Sequence, residues 1–154
     1  MITDFHTIPK ESRIWIYASE IKLSQDQQYY ILNHISTHLN SWNAHKITLT
    51  AGVIILENHF IVVALDDSKN AASGCSIDTL QNTIQELENE LSISLLNRLN
   101  VFGKIREEIK CIPTFRLKNE IDEHTLFYDL TIQKKSEIER WLKPIKDGWC
   151  ASYL

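Results

Sequence analysis

The chain has 154 residues, of which 44% are hydrophobic and 23% are charged, so it is long enough for one domain with a hydrophobic core. Its formal net charge of -4 gives no general attraction to nucleic acid or to an anionic membrane, and we expect neither as a partner. With only four glycines and three prolines, the composition predicts a single folded domain over residues 1–154.

The first residues contain no basic and apolar leader, and no apolar run approaches the roughly 20 residues that span a bilayer. The three cysteines, Cys75, Cys111 and Cys150, are far apart and form no Cys-x-x-Cys pair. His34 and His38 lie four residues apart but lack the glutamate of a His-Glu-x-x-His motif. We therefore expect a cytoplasmic protein with reduced thiols, no metal site and no cofactor.

The first elements in the chain have clear local signals. Residues 13–17 are β-branched and aromatic, which predicts a strand. Ser24 and Gln27 have the spacing of a capping box, and an apolar stripe follows at helical spacing, so we predict a helix from Ser24 to about Ser41.

The next two runs, 46–57 and 59–66, are apolar on both faces. Only Asn58 separates them, so they can be joined only as a hairpin, and their apolar character places both in the middle of a sheet. A second amphipathic helix follows, with its apolar face beginning at Ile77.

The remaining elements are predicted to be short. In order, they are a helical turn at 94–98, strands at 101–102 and 108–112 joined across 103–104, a helix at 114–119, a strand at 126–131 and a helix at 136–142. Together with the first half, this order predicts an α+β fold, specifically a ferredoxin-like split βαβ sandwich. It would have a mostly antiparallel sheet, helices on one face and C-terminal additions.

The candidate site is the start of the second helix. Ser73, Gly74, Cys75 and Ser76 precede Asp78 there, and free backbone N–H groups at a helix start favour a bound anion or a thiolate. Cys75 could be a nucleophile, although the Asp78 carboxylate would oppose its thiolate form. The structural alternative is that the serines cap the helix while Cys75 is a small buried filler.

Three further residues could complete this site. His45 lies between the first helix and a strand, where it could act as a base for Cys75 or serve only as a turn residue packed on Trp42. Arg98 lies in an apolar stretch and could bind a ligand's carboxylate or phosphate, but a structural ion pair with Asp66, Asp67 or Asp78 is favoured. Asp66 is a ligand candidate because it ends a strand.

Four segments carry a resemblance to a known family: 13–17, 42–45, 72–78 with its Ser-Gly-Cys-Ser-Ile-Asp run, and 95–98. On these residues the chain resembles a small family of proteins from the Bacteroidetes whose members often carry the label of an ABC transporter ATPase. A P-loop needs Gly-x-x-x-x-Gly-Lys-Ser/Thr, and the four glycines of this chain are too far apart to form one. The resemblance thus supports a site at 72–78 and implies no reaction.

These observations leave three functions open. The leading hypothesis is a small-molecule or anion-binding accessory protein with its site at residues 73–78. The second is a thiol-dependent enzyme with Cys75 as nucleophile and His45 as base. The third is a homodimeric interaction module without a small-molecule site.

Overall fold

The computed structural model describes the whole chain, Met1–Leu154, as two compact units. The first unit comprises Met1–Leu96 and Gln133–Ser136, and the second comprises Asn97–Ile132 and Glu137–Leu154. Both units combine helical segments with antiparallel sheets, which confirms the predicted α+β class.

The first unit contains five strands and two long helices. The strands are β1 (Arg13–Ala18), β2 (Asn43–Ala44), β3 (Ile47–Thr48), β4 (Ala51–Leu56) and β5 (Phe60–Leu65), and the helices are α1 (Gln25–Asn40) and α2 (Gly74–Leu91). A single 3-10 turn, Phe5–Thr7, precedes β1. The predicted capping box at Ser24 and Gln27 is confirmed at the start of α1.

The main sheet of this unit has the order β1-β5-β4 with antiparallel pairing throughout. β1 and β4 therefore run in the same direction, and β5 lies between them in the opposite direction. On the outer side of β1, the amide of Ile14 donates to the carbonyl of Gln133 at 2.9 Å, and Arg13 forms an antiparallel bridge with Lys134. The segment Gln133–Ser136 thus covers that edge of the sheet.

The core of the first unit lies between this sheet and the helices. The odd-numbered residues of β1 and β5 face α1 and α2, as expected from the two-residue period of a strand. Trp15 of β1 packs edge-to-face on Trp42, with ring centroids 5.7 Å apart. The even-numbered residues of β5 are buried as well, so both faces of that strand are covered.

The position of β4 corrects the sequence analysis, which placed both hairpin strands in the middle of the sheet. β5 is central and fully buried, whereas β4 is an edge strand whose last four residues are only partly buried. Apolar side chains on both faces of a strand indicate that both faces are covered. They do not indicate whether a neighbouring strand pairs with it on one side or on both. In addition, residues 46–50 do not belong to β4, because β3 pairs instead with β2.

The second unit is a four-stranded antiparallel sheet of order β7-β6-β8-β9. Its strands are β6 (Asn100–Ile105), β7 (Glu108–Pro113), β8 (Leu126–Tyr128) and β9 (Leu142–Pro144), and its one α-helix is α3 (Leu117–Glu120). Gly148 lies against the ring of Phe127, where an added Cβ would come within 2.1 Å of the ring, so only glycine fits.

Three predictions for this part of the chain are wrong. The helix predicted at 136–142 is a 3-10 segment, Lys135–Arg140, and Leu142 begins β9. Residues 94–98 form no helical turn, and the β6–β7 turn falls at Arg106 and Glu107, which both have positive φ, rather than at 103–104. The strands are longer than their apolar centres, so the turn lies further along the chain.

Candidate functional site

The start of α2 is organised by two serines. Ser73 is the N-cap, and its Oγ accepts a hydrogen bond from the amide of Ser76 at 3.1 Å. In return, the amide of Ser73 donates to Oγ of Ser76 at 2.7 Å, which completes a capping box. Both hydroxyls that were predicted to bind a ligand therefore cap the N-terminus of the helix.

Gly74 and Cys75 form the exposed side of this helix start. Their N–H groups are the first two of the helix and have no partner in the protein. Nothing lies within 4 Å of a Cβ added at Gly74, and its φ is not positive, so the fold does not require glycine there. The exposure of Cys75 also removes the alternative in which this thiol is a buried filler.

A buried tryptophan fixes the helix start in place. Nε1 of Trp42 donates to the carbonyl of Ser76 at 2.8 Å, and the hydroxyl of Thr79 donates to the same carbonyl at 2.8 Å. This contact joins the segment between α1 and β2 to the first turn of α2. No sequence pattern indicates this bond, because its indole donor lies 34 positions away from the acceptor.

His45 lies at the tip of the β2–β3 hairpin. It is exposed and has φ 51°, and the next residue, Lys46, has φ 69°, a left-handed pair typical of a tight hairpin turn. This agrees with the alternative of a turn residue. The imidazole packed against Trp42 is that of His38, with centroids 6.2 Å apart.

The charged residues predicted for the site have separate surroundings. Asp66 is buried at the end of β5, where it accepts a hydrogen bond from the Ser68 hydroxyl at 2.5 Å and lies 3.9 Å from Lys69. Its carboxylate therefore organises its own turn. Asp78 is exposed on the first turn of α2, and Arg98 is exposed in the second unit. Because Arg98 is exposed, burial does not force it into an ion pair, and its pairing with Asp66, Asp67 or Asp78 stays a prediction.

A row of polar side chains joins α1 to α2. The Tyr30 hydroxyl bonds to Glu90, and Nε2 of His34 lies 3.0 Å from a carboxylate oxygen of Glu86. One turn further along α1, Nε2 of His38 is buried without a partner. Burial lowers the pKa of His38 below its ordinary value, against the opposing effect of Glu86. No group of three or more potential ligands in the structure is arranged to hold a metal ion.

The outer edge of β4 is a site that the sequence analysis missed. The amide of Asp66 donates to the carbonyl of Thr50 at 2.8 Å, which sets the alternation of the β4–β5 ladder. In an antiparallel pair, every second residue bonds to the partner strand and the residues between point away from it. The even-numbered residues of β4 therefore bond to β5, and the odd-numbered residues point outward.

Only the first of these odd-numbered residues is covered. Ala51 accepts a hydrogen bond from the amide of Thr3 at 2.8 Å and donates one to the carbonyl of Met1 at 3.1 Å. The N-terminal segment then crosses over Gly52, where Thr3 O and Phe5 Cα lie 2.7 and 3.0 Å from the position that a Cβ would take. The N–H and C=O groups of Val53 and Ile55 consequently have no partner.

An open groove of about 280 Å³ lies beside this edge, and we refer to it as the edge groove. It is bounded by the N-terminal segment, α1 and β4. Its lining includes Leu32 and Ser36 on α1, Asp4 on the N-terminal segment, and Val53 and Ile54 on β4. The groove thus places unpaired backbone groups, apolar side chains and a few polar groups together at one accessible place.

No protein-family model, curated protein or solved structure matches this chain. Among its helices, none combines the length and apolar character needed to cross a bilayer.

Proposed function

We propose that this protein is an interaction module that binds an extended polypeptide segment along the outer edge of β4. The observation that carries the proposal is the pair of residues with outward, unpartnered backbone groups, Val53 and Ile55. A strand added at a sheet edge gains main-chain hydrogen bonds at such groups, and the flanking side chains select its sequence.

The surroundings of the edge favour an apolar segment. Side chains of an added strand alternate between the two faces of the sheet. On the face of the helices they would meet Leu32 and Val53, and on the other face they would meet Ile54. Asp4 and Ser36 add polar contacts at the rim of the edge groove.

A designed peptide tests this function. We would titrate the full chain, at low concentration, with a short peptide of alternating valine and threonine flanked by lysines. The backbone amide NMR signals of the protein would be followed. We expect the amides of Val53 and Ile55 to shift and to exchange more slowly with solvent, because they acquire hydrogen-bond acceptors.

Two variants of one residue provide the control. Val53→Pro removes an outward N–H without removing a bond to β5, since proline is tolerated at an edge where its missing donor faces solvent. We expect several-fold weaker peptide binding for Val53→Pro than for Val53→Ala, because the alanine variant keeps the donor and loses only side-chain contact. If saturating peptide leaves both amide signals of the wild-type protein unchanged, the proposal is wrong.

A second candidate function is anion binding at the start of α2, which is favoured by the two unpartnered amides of Gly74 and Cys75. Against it, the capping serines are engaged with each other and Asp78 repels an anion. Inorganic phosphate is the probe, and saturable shifts of these two amide signals are the expected result. Thiol chemistry with Cys75 as nucleophile and His45 as base also stays a prediction, as anion binding does.

We also propose that the first unit is a variant of the ferredoxin-like split βαβ plan. The parallel pair β1 and β4 with β5 between them supports this, and the segment Gln133–Ser136 would hold the fourth strand position beside β1. A cytoplasmic location is proposed on the three free cysteines.

A further inference from the structure

We infer that the second unit binds an acidic peptide segment with an apolar anchor, at a surface of exposed side chains that we call the basic–aromatic surface. This surface consists of Arg98, Leu99, Phe115, Arg116 and Lys118, all of which belong to the second unit. The inference goes beyond the proposed function, because the edge of β4 belongs to the first unit.

One backbone hydrogen bond brings the two segments of this surface together. The amide of Thr114 donates to the carbonyl of Leu99 at 2.9 Å, directly beyond the end of the β6–β7 ladder. Phe115 follows Thr114 in the chain, and Arg98 precedes Leu99. The apolar and basic side chains of the two segments therefore start from adjacent stretches of backbone.

Phe115 is held in solvent by a fixed backbone. Its neighbours Thr114 and Leu117, three residues apart, are 7% and 0% exposed, and Leu117 belongs to the core of the second unit. These two residues anchor the helical turn, whereas Phe115 between them is 77% exposed and Leu99 is 62% exposed. A partner that covers both side chains removes apolar surface from water, which favours association.

The charge of the surface selects an acidic partner. Neither Arg116 nor Lys118 forms an ion pair within the protein. The next acidic residue along the chain, Glu120, is already paired with Lys110 at 2.8 Å. With Arg98, three exposed cations lie here in a chain whose formal net charge is -4. Carboxylates on a partner complement this local charge.

The position of Arg116 fits a carboxylate beside an apolar anchor. Its guanidinium carbon lies 5.8 Å from the centroid of the Phe115 ring. A guanidinium can bind a carboxylate through two parallel hydrogen bonds. An acidic residue next to an apolar one can therefore reach Arg116 while its apolar neighbour covers the ring of Phe115.

The same features disfavour the other partners of a basic surface. Single-stranded nucleic acid stacks successive bases on several aromatic rings, and this surface has one ring. Binding to a membrane surface increases with buried apolar area and with attraction to anionic lipids. Two apolar side chains in a chain of net negative charge supply little of either.

A designed acidic peptide tests the inference. We would titrate the full chain with a short peptide in which one tryptophan and one leucine are flanked by glutamates, and follow the backbone amide NMR signals. We expect saturable shifts at residues 98–99 and 115–118, and weaker binding as salt rises from about 0.05 M to about 0.5 M. The same peptide with serines in place of tryptophan and leucine should bind several-fold more weakly, because it lacks the anchor.

Two pairs of variants separate this surface from general effects of charge and of exposed aromatic residues. Arg116→Glu should weaken peptide binding by roughly tenfold. Lys22→Glu, at an exposed lysine of the first unit, makes the same change in net charge and should change binding little. Phe115→Ala should weaken binding several-fold, and its control is Tyr29→Ala, at a side chain that is 72% exposed. Circular dichroism of all four variants establishes that they are folded.

The absence of saturable shifts in the wild-type protein, or equal effects of Arg116→Glu and Lys22→Glu, overturns the inference. Equal binding of the peptides with and without the anchor overturns the role of Phe115 and Leu99. Tighter binding of single-stranded DNA or of phosphatidylserine vesicles than of the acidic peptide overturns a peptide as the partner. The lysine-flanked valine–threonine peptide tests the edge of β4 separately, so each proposal can fail without the other.

Discussion

His38 is held in surroundings that oppose its charged form. Its Nε2 is buried without a partner, and its ring packs on Trp42. One turn earlier on α1, His34 contacts Glu86. Burial is the main cause that lowers the pKa of His38 from 6.5, with His34 acting in the same direction and Glu86 against it. An imidazole in this position is neutral in the folded protein near neutral pH.

This shift links stability to pH. Because the pKa of His38 is lower in the folded protein than in the unfolded chain, the unfolded chain binds the proton more readily. The contribution of neutral His38 to the free energy of unfolding is therefore complete above pH 6.5. It is lost as the pH falls from 6.5 toward the lower pKa that His38 has in the folded protein. We expect the free energy of unfolding to fall between about pH 7.5 and about pH 5.5.

Urea denaturation at the two pH values measures this effect. His38→Phe keeps an aromatic ring against Trp42 and removes the proton, so its loss of stability on acidification should be smaller than that of the wild type. His124→Gln is the control, since His124 is exposed in the second unit. An equal loss in the wild type and in His38→Phe would contradict the assignment.

At the scale of elements, the start of α2 separates a structural role from a binding role. Ser73→Ala removes the N-cap acceptor and should cost about 1 kcal/mol of stability. Gly74→Ala should instead stabilise the protein by about 0.4–1 kcal/mol, because the position has open space and an ordinary helical backbone.

The same denaturation experiment measures both variants. A destabilised Gly74→Ala would mean that the glycine serves the fold after all. A stabilised one means that any need for glycine at this position comes from a ligand that approaches the backbone closely.

Considered as a whole, the chain has no P-loop with which to bind a nucleoside triphosphate. Its only glycine at the start of a long helix is Gly74, and residues 72–78 contain no lysine to reach a phosphate. Calorimetry with Mg-ATP should therefore give no saturable heat in the micromolar range. Saturable binding, or hydrolysis by the purified protein, would contradict this expectation and restore the ATPase label of the resembling family.

The local elements of this protein follow from short-range patterns in its sequence. The capping signals at Ser24 and Ser73, the two amphipathic helices and the hairpin of β4 and β5 depend on residues a few positions apart, and the α+β class follows from their order. Such signals act within one or two turns or strand pairs, so they can be read without a partner. The candidate site at residues 73–78 was located from the same kind of local signal.

The tertiary structure alone decided which groups are left open. Segment 133–136, which is distant in sequence, covers the edge of β1. On β4 the outward N–H and C=O groups of Val53 and Ile55 stay unpaired. No local sequence pattern distinguishes these two edges. The burial of His38 and the bond from Trp42 to α2 depend equally on distant residues. Backbone pairing at a sheet edge and desolvation of a side chain are long-range properties, because they depend on which distant segment arrives beside them.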